Sequence, residues 1–124
     1  MKKTLWRPVS PEKTKMEELA RIINNNHSQS INSYDQLHNW SINHIPKFWE
    51  EIWNYCEIIH SKSYTQIVDN TKAIPGAKWF RGSKLNFAEN LLKFRDERIA
   101  IKCKTEDQGI LEITYYELFQ EVEK

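Results

Sequence analysis

Apolar residues recur at a helical interval in five stretches of the chain and give way to short extended runs in two others. Met16, Leu19, Ala20 and Ile23 stand at i, i+3, i+4 and i+7, a single stripe on one helical face. Ser10-Pro11-Glu12 supplies an N-cap, a first-turn proline and an acid at the positive end of the dipole, and Asn24-Asn25-Asn26 tolerates a left-handed stop, so the spacing predicts a helix over 11–24. Ser33-x-x-Gln36 is a capping box that opens a second, short helix carrying Tyr34, Leu37 and Trp40 on one face and ending before Pro46. Pro46 opens a third, where Trp49, Ile52, Trp53 and Cys56 repeat the stripe and Phe48 and Tyr55 widen it. A buried Trp removes about 150–250 Å² from water, a gross gain of about 4–6 kcal/mol, so these aromatics read as core.

The helical period stops after Ile59. Gln66-Ile67-Val68 and Ala77-Lys78-Trp79-Phe80 are short extended runs separated by the turn dipeptide Pro75-Gly76, which predicts a strap over 61–80 anchored by Trp79 and Phe80. Asn86-x-x-Glu89 resembles a capping box and starts a short helix with Phe87, Leu91, Leu92 and Phe94. Ile99 to Cys103 and Ile110 to Thr114 are strand-like and joined by the polar segment 105–109, a predicted hairpin. Thr114-x-x-Glu117 then caps a helix with Tyr115, Leu118, Phe119 and Val122 at helical spacing, still in progress at Lys124. That ending predicts a truncated chain whose last third frays or pairs with a second copy through open hairpin edges.

With 124 residues, 40% hydrophobic and 28% charged, the chain can bury one core and is neither a disordered tail nor a membrane span. The 18 Lys and Arg are interspersed among 17 Asp and Glu, so no basic block tracks a phosphate backbone and nucleic acid is not an expected partner. Three scattered glycines, Gly76, Gly82 and Gly109, cannot build a phosphate-cradling loop. The segment from Gly76 to Lys84 is rejected as a P-loop: its glycines are too far apart, Ser and Lys are reversed, and two aromatics interrupt it. Cys56 and Cys103 form no Cys-x-x-Cys pair, which suits a reducing compartment. Met1-Lys2-Lys3 resembles the start of a signal peptide, but the apolar run ends at Arg7-Pro8, so a cytoplasmic protein is expected and the sequons at Asn26 and Asn39 read as accidental.

His27, His38, His44 and His60 show no His-x-x-x-His pair with a neighbouring Glu, so they read as polar or cap histidines rather than metal ligands. Glu50-Glu51 and Asp96-Glu97 are adjacent in sequence and therefore point to different sides of a helix, which reads as solvated charge. Cys56 lies on an apolar stripe and is expected to be a buried thiol. The residues offer no catalytic, cofactor-binding or metal-binding set.

Leu5-Trp6-Arg7-Pro8, Tyr34-Asp35-x-Leu37-x-x-Trp40-Ser41, Phe48-Trp49 and, above all, Pro75-Gly76-Ala77-x-Trp79-Phe80-x-Gly82-x-x-Leu85-Asn86-Phe87-Ala88-Glu89-Asn90-Leu91-Leu92 resemble the amino-terminal region of acetoacetyl-CoA synthetases. Ala88 to Leu92 is closer to this branch than to acetyl-CoA synthetases, which share the Trp-Phe and Leu-Asn elements. Ile113-Thr114-Tyr115-x-Glu117-Leu118 resembles the strand-to-helix lead-in of adenylate-forming enzymes generally. The resemblance implies an α+β fold: a mainly helical cap region over 1–95, then an extended strap, short helix and hairpin leading into an AMP-binding adenylation domain begun over 96–124. It also implies an ATP-dependent ligase of ketone-body and lipid metabolism in which acetoacetate and ATP form an acyl-adenylate and pyrophosphate, after which the CoA thiol displaces AMP. ATP, magnesium and CoA would serve the parent enzyme and not this segment, whose partner would be the rest of the catalytic domain. The family's phosphate loop and late lysine lie beyond the position matching Lys124, so the segment alone is expected to be inactive. The alternative is a stand-alone, non-catalytic interaction module derived from the cap.

Overall fold

The structure, a computed structural model, describes residues 6–107 and 109–123. The motif positions Met1 to Leu5, with Gln108 and Lys124, lie outside the described residues. The fold is α+β: the described residues form five α-helices and two small antiparallel sheets and divide into two compact units. Of the described residues, the first comprises 6–58 and 64–83, the second 59–63, 84–107 and 109–123.

In the first unit the expected opening helix begins as a 3-10 turn, Pro11–Lys13, and restarts as α1, Lys15–His27. Thr14 rather than Ser10 caps α1, its side chain accepting from the Glu17 amide at 3.4 Å. Thr14 takes the role because its hydroxyl meets the unpaired Glu17 amide, whereas the Lys13 amide, three residues after Ser10, is already taken by the Ser10 carbonyl at 3.1 Å. The Asn run stays helical and Ser28 makes the left-handed stop at φ 51°. Asn24 serves a different purpose: its amide nitrogen donates to the Ile31 carbonyl at 2.9 Å, and its amide oxygen accepts from the Ile31 N–H at 2.8 Å. That bracket turns the chain into α2, Tyr34–Asn43, capped by the Ser33 hydroxyl, which accepts from the Gln36 amide at 3.3 Å, while the Gln36 side chain accepts from the Asn32 N–H at 2.8 Å. His44 joins α2 to α3, Ile45–Tyr55, with Pro46 in the first turn.

Leu19, Ala20, Ile23, Ile31, Leu37 and Trp40 form the core, and Phe48, Ile52 and Tyr55 of α3 pack against it. The strap folds back on itself: β1, Gln66–Val68, pairs antiparallel with β2, Trp79–Arg81, matching Gln66 to Arg81 and Val68 to Trp79. Gly82, at φ +85°, allows the exit from β2, where a Cβ would also stand 3.1 Å from the Thr65 hydroxyl. α3 is thereby covered on a second side. Trp53 meets Phe80 at 4.5 Å and Tyr64 at 5.4 Å between ring centroids. Only half of the expected anchor holds: Phe80 is half-buried in this cluster, whereas Trp79 is 41% exposed and meets Trp49 edge-on. Both residues reach α3, Phe80 at Trp53 and Trp79 at Trp49, but Trp53 is buried whereas Trp49 is itself 41% exposed, so only the Phe80 contact is closed off from water.

The second unit contains α4, Phe87–Leu91, the hairpin of β3, Ile99–Lys104, with β4, Ile110–Thr114, and α5, Tyr115–Glu123. Asn86 caps α4 through the Glu89 amide, and Asn90 exchanges hydrogen bonds with both backbone groups of Ile59 at 2.8 Å. Arg98 grips Asp96 with a two-pronged hydrogen bond and lies 4.6 Å from the Phe94 ring. At the start of α5 the capping box closes completely: Thr114 donates its N–H and hydroxyl to the Glu117 carboxylate at 2.8 and 3.0 Å, and its hydroxyl accepts from the Glu117 amide at 3.1 Å.

The Thr114 N–H donation holds the Glu117 carboxyl below its ordinary range, so the folded state releases that proton more readily than the unfolded chain. The stabilisation is complete above the unfolded carboxylate value of about 4.3 and disappears as pH falls through the lower folded value. Acidification through pH ~4 is therefore expected to loosen α5 in the parent sequence and to leave a Glu117→Gln variant unaffected over the same interval. Amide exchange of residues 115–119 as a function of pH measures this; an identical acid profile in the two proteins would refute it.

Candidate functional site

The most buried polar cluster joins α1 to α3. Glu51 is 6% exposed, and its two carboxylate oxygens each accept from the Asn26 amide at 3.1 Å while one also faces His27 Nε2 at 2.9 Å. The His27 ring lies 5.1 Å from Trp40, which in turn stacks on His44 at 5.3 Å. A carboxylate that orients an imidazole is half of an acid-base apparatus, but this one is built into the joint between three helices rather than into a cleft. Its chemistry is that of a clamp. Every buried side-chain nitrogen and oxygen among the described residues has a hydrogen-bond partner.

These positions correct the expectation of solvated charge for Glu50-Glu51. Glu51 is buried, and Glu50 accepts from the Tyr64 hydroxyl at 2.9 Å, a contact that adds to burial in pushing the Tyr64 pKa up. Both sides of α3 are covered, so neighbouring residues pointing apart both reach protein. Cys56 is likewise corrected from buried to exposed, because α3 ends at Tyr55 and the stripe loses its last position. The histidines remain apart in role. His27 belongs to the clamp, His38 stacks on Tyr34 at 6.1 Å, His44 links α2 to α3, and His60 is an exposed residue of the second unit. Among the described residues no three His, Cys, Asp or Glu side chains come together.

Among the described residues there are two open cavities of several hundred Å³. One of about 410 Å³ lies in the first unit, walled by Met16, Leu19, Leu37, Phe48, Ile52 and Tyr55. At its rim Glu18 accepts from Lys15 and from the Tyr55 hydroxyl, both at 2.9 Å. The Lys15 contact chiefly holds the Glu18 carboxyl below its usual range, while burial and then Glu18 push the Tyr55 hydroxyl up. The other cavity, of about 350 Å³, lies in the second unit between α4 and α5 and includes Leu92, Arg95, Phe119 and Val122. Arg95 covers the Phe119 ring at 3.8 Å, a cation-π contact that occupies the arginine within the unit. Among the described residues no helix is long and apolar enough to cross a membrane.

Residues 34–91 match the family described as Acetyl-coenzyme A synthetase N-terminus. That family match spans α2 to α4, including the capped helices, the aromatic third helix and the β1–β2 ribbon. At the level of individual relatives, the chain is 36% identical over 123 residues to the acetoacetyl-CoA synthetase of Danio rerio, and 39% identical over 127 aligned positions to the malonamoyl-CoA synthetase of Penicillium aethiopicum. In each case 97% of this chain but only 18% of the relative is covered. The solved structure of acetoacetyl-CoA synthetase from Streptomyces lividans superposes with a TM-score of 0.82 at 25% identity, covering 98% of this chain and 20% of that one. The chain thus resembles an acyl-CoA synthetase amino-terminal region in sequence and shares its fold. Within that class it is the amino-terminal region of the acetoacetyl-CoA synthetase branch that it resembles over nearly its whole length.

Proposed function

We propose that the chain is the amino-terminal segment of an ATP-dependent ligase that activates acetoacetate and transfers it to CoA, and that it supplies structure to that enzyme rather than reacting groups. The match of 97% of the chain to acetoacetyl-CoA synthetases carries this reading. In it, residues 1–95 form the cap region and 96–124 lead into the adenylation domain, which holds ATP, magnesium and CoA. The relatives' names define a substrate class: acetoacetyl and malonamoyl groups both carry a second carbonyl β to the thioester. The enzyme then works on a short acid with that feature, in the cytoplasm.

The chain alone is expected to give no acetoacetate-dependent exchange of pyrophosphate into ATP above a no-protein control. Exchange clearly above that control would overturn the structural role. Substituted for the matching fifth of the Streptomyces lividans enzyme, the chain is expected to sustain acetoacetyl-CoA formation. A folded chimera that makes none would overturn the assignment as a working amino-terminal segment.

A further inference from the structure

The β3–β4 hairpin is two-faced. Its register sets Ile101 opposite Ile113 and Cys103 opposite Leu111, and directly opposed residues share a face, so these four side chains make one wholly apolar surface. The alternate positions place Lys102 opposite Glu112, an ion pair, and Lys104 opposite Ile110 on the other. Covering stops near the root of the hairpin, at half-buried Ala100, Ile113 and Thr114, while Ile101 is 40% and Leu111 56% exposed and Cys103 is exposed. A polar surface opposite an apolar one is the pattern of a sheet that faces water on one side only.

We propose that this apolar face, Ile101, Cys103, Leu111 and Ile113, is the seam on which the downstream polypeptide of the synthetase docks. The inference rests on the reading proposed above and names the partner surface within it. Two observations select that occupant over a second copy of the chain. The solved relative extends to about five times the length matched here, which supplies an occupant large enough to cover the face. The face itself is small: four side chains, partly covered at one end, offer on the order of a few hundred Å², against about 800 Å² per partner in a stable interface between separate molecules. A seam of that size holds when its two sides are tethered, because a short covalent link raises the effective concentration to the millimolar range.

Cys103 lies on the seam and reports on it, with exposed Cys56 of the first unit as the reference thiol. The test compares maleimide labelling of Cys103, read peptide by peptide by mass spectrometry, in the 124-residue chain and in the Streptomyces lividans chimera. Labelling of Cys103 is expected to be at least tenfold slower in the chimera, and Leu111→Asp is expected to restore it there while leaving the isolated chain's rate unchanged. Equal Cys103 rates in the two proteins overturn the proposal, even in a chimera that makes acetoacetyl-CoA. Protection of Cys103 in a folded chimera that makes none keeps the seam and refutes the assignment as a working amino-terminal segment instead. Protection that appears in the isolated chain as its concentration rises identifies a second copy and overturns the proposal. Should the chimera fail to fold, residues 99–114 are replaced with the Streptomyces lividans residues at those positions: recovery of folding supports the seam, because only a matched surface would respond to that exchange.

Discussion

Trp53→Ala is expected to lower the unfolding free energy of the chain by about 3–5 kcal/mol. Trp53 is 8% exposed and stands where α3 meets the β1–β2 ribbon, with Phe80 and Tyr64 on its ring. Phe80 and Tyr64 also touch each other, at 5.4 Å, so removal of the indole leaves both partners facing a void that they cannot close without moving β2. The loss combines transfer of a large apolar surface, the aromatic contacts and a cavity, and it is a large share of the roughly 5–15 kcal/mol that holds a domain together. Trp79→Ala tests the same ribbon from its other face. At 41% exposed, with Trp49 its ring partner, Trp79 should cost clearly less. Urea titrations at matched m-values decide between them, and equal midpoints for the two variants would refute the placement of the anchor on the Trp53 side.

The elements of the fold were legible wherever a local rule fixes them. Ser33, Asn86 and Thr114 each cap the helix that their spacing predicts, since a cap joins groups three residues apart and depends on little else. The hairpin was legible for the same reason, with strands alternating on either side of a polar turn. What the sequence does not carry is the contact between distant segments. The burial of Glu51 depends on Asn26 and His27, 25 and 24 residues away, and no period or motif on α3 marks that acid as different from Glu50. The pairing of β1 with β2 inside the strap is not legible, because the strands are three residues each, too short for alternation to declare a partner. The aromatic richness of α3 did hold the missing information. A helix needs one apolar face to pack on one neighbour, and Phe48, Trp49, Ile52, Trp53 and Tyr55 exceed a single face because the helix packs on two sides.

Glu51→Leu is expected to destabilise the first unit by about 1–3 kcal/mol despite adding apolar surface at a buried position. The leucine removes the acceptor for the Asn26 amide and for His27; exposed Asn26 can turn to water, but His27, whose side chain is only 18% exposed, is left with a ring nitrogen facing hydrocarbon. Glu51→Gln keeps one carbonyl oxygen in place and should retain much of the clamp, so its loss should be the smaller of the two. If the buried polar joint merely filled space, the order would invert, because leucine fills it at no desolvation cost. The double variant His27→Leu with Glu51→Leu separates the two cases. Removing both partners takes away the unpaired imidazole, so the double variant should recover part of the stability lost by Glu51→Leu, and the cycle should return a coupling between the two sites of about 0.5–3 kcal/mol. Thermal or urea unfolding of the four proteins gives each value, and strictly additive losses would show that Glu51 and His27 stabilise α1 and α3 independently rather than as one clamp.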